Sequence, residues 1–249
     1  MSARIGQDVR AVLFDMDDTV YDHSYALESA VEDLQKKDPR LSAIPLRTLI
    51  RKDQEILREV HLGLVLPGKV SQAASRVLRM GRLYESQGIK LAEAEAEQLS
   101  EFRRAAYLAH ERAVPGAQRL IEALRSDAVQ VGIVSNNLLA EQQAKLARIG
   151  LAKVVDSLTV SEEIGAAKPD PRIFQLALTR CACPPANAVF VGDSWREDVE
   201  GAHAAGIRAV WFNRGRDPRP VGANAVKELP SFLPTRGAVA TILSSAAFA

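Results

Sequence analysis

Four short stretches of this chain carry groups that can work together chemically. Asp15-Met16-Asp17-Asp18-Thr19 sets two carboxylates at i and i+2 and ends on a hydroxyl. Ser135-Asn136-Asn137 adds a hydroxyl and amides, and Lys168, inside GAAKPDPRIF, adds an ammonium. Asp193 and Asp198, inside GDSWREDVEGA, add two more carboxylates. Carboxylates at i and i+2 on a turning loop can face one site, bind a hard cation there and still divide labour between nucleophile and acid/base. Binding an anion together with Mg²⁺ needs this mixture: carboxylates for the metal, an ammonium and neutral donors for the anion's oxygens. Taken alone, the Asp-rich stretch also reads as a helix N-cap, a role Asp and Thr favour. The other three stretches, each placed after an apolar run or a turn, weigh toward a shared site.

The elements that must position these residues follow from the apolar pattern. Residues 9–14, VRAVLF, read as a short buried strand ending at Asp15. Similar runs recur at 129–134, 153–160, 187–192 and 207–212, so Ser135 and Asp193 also stand at strand ends. Segments 116–126, 138–149, 171–180 and 196–205 have helical spacing; the second places Leu139, Leu146 and Ile149 on one face. Apolar strands alternating with amphipathic helices predict an α/β fold, with a parallel sheet covered by helices on both faces. Between 22 and 112 no strand-like run occurs. That stretch offers helical segments at 24–37, 42–60, 69–87 and 91–111, interrupted at Pro39, Pro45 and Pro67-Gly68. The expected organisation is a core of 1–21 and 113–249 with a small all-helical domain of 22–112 inserted after the first strand. An insert there can reach over the carboxyl ends of the strands, where open α/β sheets bind ligands.

Composition excludes several classes. The 249 residues carry 32 Lys+Arg against 31 Asp+Glu, a net charge of +1, which argues against a nucleic-acid polymer as partner. With 47% hydrophobic residues the chain is not of the disordered type. No apolar run has the length of a membrane helix, and MSARIGQDVR lacks the apolar stretch of a signal peptide. Two cysteines, Cys181 and Cys183, make neither a disulfide framework nor a four-ligand zinc site, so a reducing cytoplasm is the expected compartment. Gly63 to Lys69 spells G-x4-G-K, but Val70 stands where a phosphate-binding loop needs Ser or Thr, so a turn between helices is expected.

Taken in order, FDMDDTVYD, IVSNN, AAKPDPRIF and VFVGDSWREDVEGAHAAGI resemble the four motifs of the haloacid dehalogenase-like hydrolase superfamily, and the resemblance covers nearly the whole chain. It implies a Rossmann-like core with a helical cap after the first strand. It implies Asp15 as the nucleophile that forms an aspartyl-phosphate and Asp17 as the general acid/base. Thr19 matches a loop-supporting residue, Ser135 the phosphate-binding hydroxyl with Asn136 beside it, and Lys168 the charge-offsetting ammonium. Asp193 matches the Mg²⁺ ligand and Asp198 a second acidic position, the metal being held also by the Asp15 carboxylate and the Asp17 backbone carbonyl. An Asp at position 17 points to phosphatases and phosphomutases rather than to dehalogenases. To act as acid in the first step Asp17 must be protonated, which a neighbouring carboxylate or partial burial would favour.

The motif pattern is most similar to the nucleoside 5′-monophosphate branch, of pyrimidine 5′-nucleotidase type. The expected activity is therefore Mg²⁺-dependent hydrolysis of a small phosphorylated metabolite. A sugar-phosphate phosphatase, a phosphomutase and a catalytically silent phosphate-binding regulator remain alternatives, and the state stays open between monomer and homodimer. Leaving-group recognition falls to the insert and its hinges. Tyr21 lies six residues past the nucleophile and Trp195 two past Asp193, so both are expected to line the site. Arg76 and Arg79 recur on the third helical segment with Lys69 and Arg82, either as substrate contacts or as a solvated basic face.

Overall fold

The computed structural model describes residues 9–222 and 225–244. The polar opening segment, read above for the absence of a leader-like stretch, lies mostly outside the described residues. Contacts divide the chain into two compact units, one of His23–Glu111 and the other of the chain up to Asp22 and from Arg112 onward.

The second unit is an α/β sheet domain. Its strands are β1 (Ala11–Phe14), β2 (Gln130–Ser135), β3 (Ser157–Val160), β4 (Ala188–Gly192), β5 (Arg208–Phe212) and β6 (Lys227–Leu229). All neighbours pair in parallel, in the order β3-β2-β1-β4-β5-β6. Every residue of β1 and β4 is buried, which is why those segments are apolar without alternation. Chain order reverses at β1, whose neighbours are β2 on one side and β4 on the other. Phe14 pairs with Ile133 and with Val191, so the three strands end almost level. A crevice opens at such a reversal point beyond the carboxyl ends of the strands.

The helical unit holds α1 (His23–Lys37), α2 (Leu46–Val60), α3 (Gln72–Glu85) and α4 (Glu93–Ala109). Asp38, at the end of α1, accepts from Arg40 and from the Tyr84 hydroxyl on α3, the latter at 2.7 Å. The two passages of chain between units run side by side in the sheet domain. Val114 N–H donates to the Val20 carbonyl at 2.8 Å and Asp22 N–H to the Arg112 carbonyl at 3.0 Å. The Asp22 carboxylate, 1% exposed, accepts from Arg112 (2.8 Å) and Arg214 (2.7 Å). Its charge is thus paired twice, as a buried carboxylate requires. The stretch that spells G-x4-G-K is a wide helical turn, His61–Val65, followed by a loop, with no strand before it.

In the sheet domain, α5 (Ala117–Ser126), α6 (Leu139–Arg148), α7 (Ser161–Ile164), α8 (Pro171–Arg180), α9 (Gly201–Ala204) and α10 (Thr235–Leu243) complete the chain. Helix α8 buries Ile173, Phe174, Ala177 and Leu178, and Phe174 meets Phe190 of β4 edge-on at 5.1 Å. The helix expected over 196–205 begins as a wide π-type turn, Trp195–Glu200, and only then continues as α9. Strand β6 and helix α10 have no counterpart in the sequence reading. Lys-Glu-Leu is too short and too charged to read as a strand; it becomes one because β5 leaves an edge to pair. Among the described residues no helix is long and apolar enough to cross a membrane.

Candidate active site

The loop after β1 is held by its own backbone. Asp15 N–H donates to the Val191 carbonyl at 2.9 Å, so the ladder to β4 runs one residue past the strand. The Met16 carbonyl then accepts from Val20 N–H (2.9 Å) and Tyr21 N–H (2.8 Å). Asp18 takes a left-handed backbone, φ +62°, which Asp tolerates better than most residues. This tight turn places Asp15 and Asp17 against different partners.

Asp15 meets Lys168, which lies in the loop between α7 and α8. The Lys168 ammonium donates to Asp15 Oδ1 and, at 2.6 Å, to Asp198 Oδ1. Lys168 is held by Asn136, whose Oδ1 accepts from Lys168 N–H at 2.6 Å and whose Nδ2 donates to the Lys168 carbonyl at 3.0 Å. Asn136 therefore grips the backbone that carries the ammonium. The wide turn at 195–200 brings Asp198 back toward the end of β4, where its Oδ2 accepts from Ser194 N–H at 2.9 Å. Gly192 makes room for it: a Cβ there would come 2.3 Å from Asp198 Oδ2. Gly192→Ala is expected to displace Asp198, cost on the order of 1–3 kcal/mol of stability and lower activity. Urea unfolding and steady-state rates of the variant check this; an unchanged midpoint and rate would refute it.

Asp15, Asp193 and Asp198 each offer a carboxylate oxygen, all within 4.8 Å of one another. When all three are ionised, one ammonium, Lys168, stands against them and an excess of two negative charges remains. Burial works against the charge on Lys168, but the facing Asp15 and Asp198 outweigh it and keep it protonated well above the ordinary lysine range. Burial pushes the Asp15 carboxyl well up; Lys168 opposes this, and Asp198 and Asp193 add to it. Crowding by protein, then the charges of Asp198 and Asp18, push Asp193 up to about 7, although its side chain opens on solvent. Clustered oxygen donors with an excess of two negative charges and one solvent-facing member fit a hard divalent cation. The donor set is all oxygen, which suits Mg²⁺ rather than a soft metal.

Asp17 stands apart from this cluster. Its carboxylate accepts from Lys145 Nζ at 2.5 Å and from Gln142 Nε2 at 2.9 Å. Gln142 also donates to Ser135 Oγ at 2.7 Å, so one amide ties Ser135 to Asp17. Where a neighbouring carboxylate was expected, Asp17 faces the Lys145 ammonium, and its side chain is partly buried. Gln142 and Lys145 are buried polar residues on α6, at 0% and 5% exposure. Neither belongs to the four motifs. The available signal was their position within the stripe of Leu139, Leu146 and Ile149, where apolar side chains belong.

The remaining expected residues fall as follows. Thr19 is fully buried and its hydroxyl lies 3.4 Å from Asp193 Oδ1. Tyr21 is fully buried, with the Lys145 ammonium 4.9 Å from its ring centre, so the ring backs Lys145 and presents no free face. Trp195 packs edge-on against Trp211 at 5.2 Å and donates to Glu200 at 3.1 Å. Trp211 in turn donates to the Asp193 carbonyl at 2.8 Å, supporting the backbone beneath the acidic cluster. Arg76 and Arg79 lie on α3, in the helical unit.

The haloacid dehalogenase-like hydrolase family model matches residues 9–206. The chain belongs to this family. Among its relatives, the pyrimidine 5′-nucleotidase YjjG of Escherichia coli is 39% identical over 110 residues, 44% of this chain and 48% of that protein. The glyceraldehyde 3-phosphate phosphatase of Methanopyrus kandleri is 32% identical over 214 residues, 84% of this chain and 85% of that protein. Several other curated relatives are matched over less than half their length, as YjjG is. The magnesium-bound crystal structure of the HAD-hydrolase YfnB from Bacillus subtilis shares the fold, with a TM-score of 0.69 at 23% identity over 94% of this chain and 99% of that one. In this family member, the four motifs read from the sequence occupy the ends of β1, β2 and β4 and the loop before α8.

Proposed function

We propose that this family member is a phosphatase that hydrolyses small phosphomonoesters through an aspartyl-phosphate on Asp15. The observation that carries the proposal is the pairing of Asp15 with the buried Lys168, beside Asp193 and Asp198, at the end of the central strand. In the first step an Asp15 oxygen attacks phosphorus while the bond to the leaving oxygen breaks and that oxygen takes a proton from Asp17. In the second step water attacks the acyl phosphate, Asp17 accepts the water's proton, and the bond to Asp15 breaks to release inorganic phosphate. Ser135 and the backbone beside it bind phosphate oxygens, and Lys168 offsets the charge that accumulates on Asp15 and the phosphoryl group. Asp17 has to be loaded with its proton, so its ion pair with Lys145 opens before or as substrate enters.

Asp15, Asp193 and the Asp17 carbonyl would hold Mg²⁺, with Asp198 supporting the arrangement. When bound, the ion supplies charge neutralisation between a carboxylate and a phosphate dianion, which otherwise repel. Phosphate release from p-nitrophenyl phosphate, with Mg²⁺ and with EDTA, tests the activity. Turnover in Mg²⁺ that EDTA abolishes is expected; a rate indifferent to EDTA refutes the metal's role. Asp193→Asn should weaken Mg²⁺ binding by well over tenfold, with partial recovery at high Mg²⁺. The pH dependence has a definite sign. A carboxyl raised to about 7 keeps its proton below that pH, and the metal must displace it. Apparent Mg²⁺ affinity should therefore climb with pH up to about 7 and then level off. Calorimetric titration across this range checks it, and affinity that falls with rising pH would contradict it.

As to substrate, a nucleoside 5′-monophosphate is the first to assay, because the motifs resemble that branch and YjjG is a pyrimidine nucleotidase. Glyceraldehyde 3-phosphate is the second, from the longer match to the Methanopyrus enzyme.

A further inference from the structure

The helical unit contains a concentration of positive charge that its own fold does not neutralise. Arg76 and Arg79 stand one turn apart on α3, and Arg103 lies on α4. Asp53 of α2 is the carboxylate whose charge bears on Arg79 among the described residues; it is 2% exposed and accepts from Arg103 Nη2 at 2.6 Å. Neither Arg76 nor Arg79 makes a hydrogen bond or ion pair among the described residues. The Nε atoms of all three arginines are buried and lack an acceptor. Burial and the charge of Arg103, offset in part by Asp53 and reinforced by Arg76, bring Arg79 down to about 10. Tyr107 also neighbours the group, its hydroxyl 2.9 Å from His23 Nδ1.

Three guanidiniums and one carboxylate leave two positive charges, with several N–H donors turned away from water. A basic row that merely solvates a helix keeps its N–H groups in water. Buried donors left unmade are costly, and guanidinium donors match the paired oxygens of a carboxylate or phosphate. We propose that Arg76 and Arg79, backed by the Arg103–Asp53 pair, form an oxyanion site in the helical unit that takes the carboxylate or phosphate group of a small metabolite. If that group belongs to the substrate, leaving groups with their own negative charge move ahead of uncharged nucleosides.

The test uses the full chain and two probes, malonate and inorganic phosphate. The Nε–Hε resonances of Arg76 and Arg79 are followed by NMR during each titration. Saturable shifts with at least one probe are expected, weakened about ten- to a hundredfold in Arg79→Gln and in Arg76→Gln. Each variant should keep or gain thermal stability, because a like charge has been removed; a structural arginine would lose it. Absence of any shift with both probes, or binding unchanged in both variants, overturns the site. This arm does not depend on the phosphatase reading and survives its failure. A kinetic arm, resting on that reading, identifies the source of the anion. A kcat/KM ratio of 2-phosphoglycolate to p-nitrophenyl phosphate that falls about tenfold or more in Arg79→Gln assigns the site to the substrate. An unchanged ratio with the NMR shifts intact assigns it to a free anion.

Discussion

Asp15→Asn is expected to fold like the parent and to lose turnover by roughly four orders of magnitude or more. The exchange preserves shape, and Lys168 keeps Asp198 as a partner, so no buried ammonium is stranded. What disappears is the anionic oxygen that must bond to phosphorus. The amide also removes a negative charge from a crowded cluster, so Mg²⁺ binding should weaken as well. Rates on p-nitrophenyl phosphate, with circular dichroism for the fold, measure both parts. More than roughly a few per cent of parental activity, with deamidation excluded by mass, would remove Asp15 from the covalent role.

Lys168→Met is expected to harm both stability and rate. Lys168 is 4% exposed and bridges Asp15 and Asp198, so its removal leaves two buried carboxylates facing each other without a cation. Breaking one side of a buried ion pair costs about 3–5 kcal/mol. The deficit has a pH sign. The Asp15 carboxyl already sits above its ordinary range, and losing the ammonium raises it further. As pH falls and Asp15 takes up a proton the repulsion disappears, so the stability gap to the parent should narrow in acid and be widest above neutrality. Urea unfolding of both proteins from acid to mildly alkaline pH reads this directly. A constant gap would mean that the loss is one of packing alone. Turnover should fall by about a thousandfold, since the charge offsetting the transferred phosphoryl group is gone.

The sheet was legible because its strands are buried on both faces, which leaves no choice but continuous apolar runs such as AVLF and AVFVG. The edge strand Lys227–Leu229 was not, because an edge position tolerates charge and takes its conformation from its neighbour. Chemistry at strand ends was legible for a related reason: Asp15, Ser135 and Asp193 interrupt apolar runs abruptly. Pairings across the sheet were less so. The grip of Asn136 on the Lys168 backbone and the tie of Gln142 to Asp17 depend on residues 32 and 125 apart meeting, which spacing does not encode. Trp195 and Tyr21 show the converse limit. Proximity in sequence to the acidic residues predicts rings at the site; Tyr21 is fully buried beside Lys145, whereas Trp195 is half-buried and packs on Trp211.

Covalent capture of the intermediate is the most direct test of the central claim. Parent protein mixed with substrate in Mg²⁺ and quenched in acid within the first turnover would be treated with borohydride, which reduces an acyl phosphate to an alcohol, and digested for mass spectrometry. The account predicts conversion of the aspartate at position 15 to homoserine, dependent on substrate and absent at Asp17, Asp193 and Asp198. Reduction at any other carboxylate, or none while turnover proceeds at its normal rate, would contradict it.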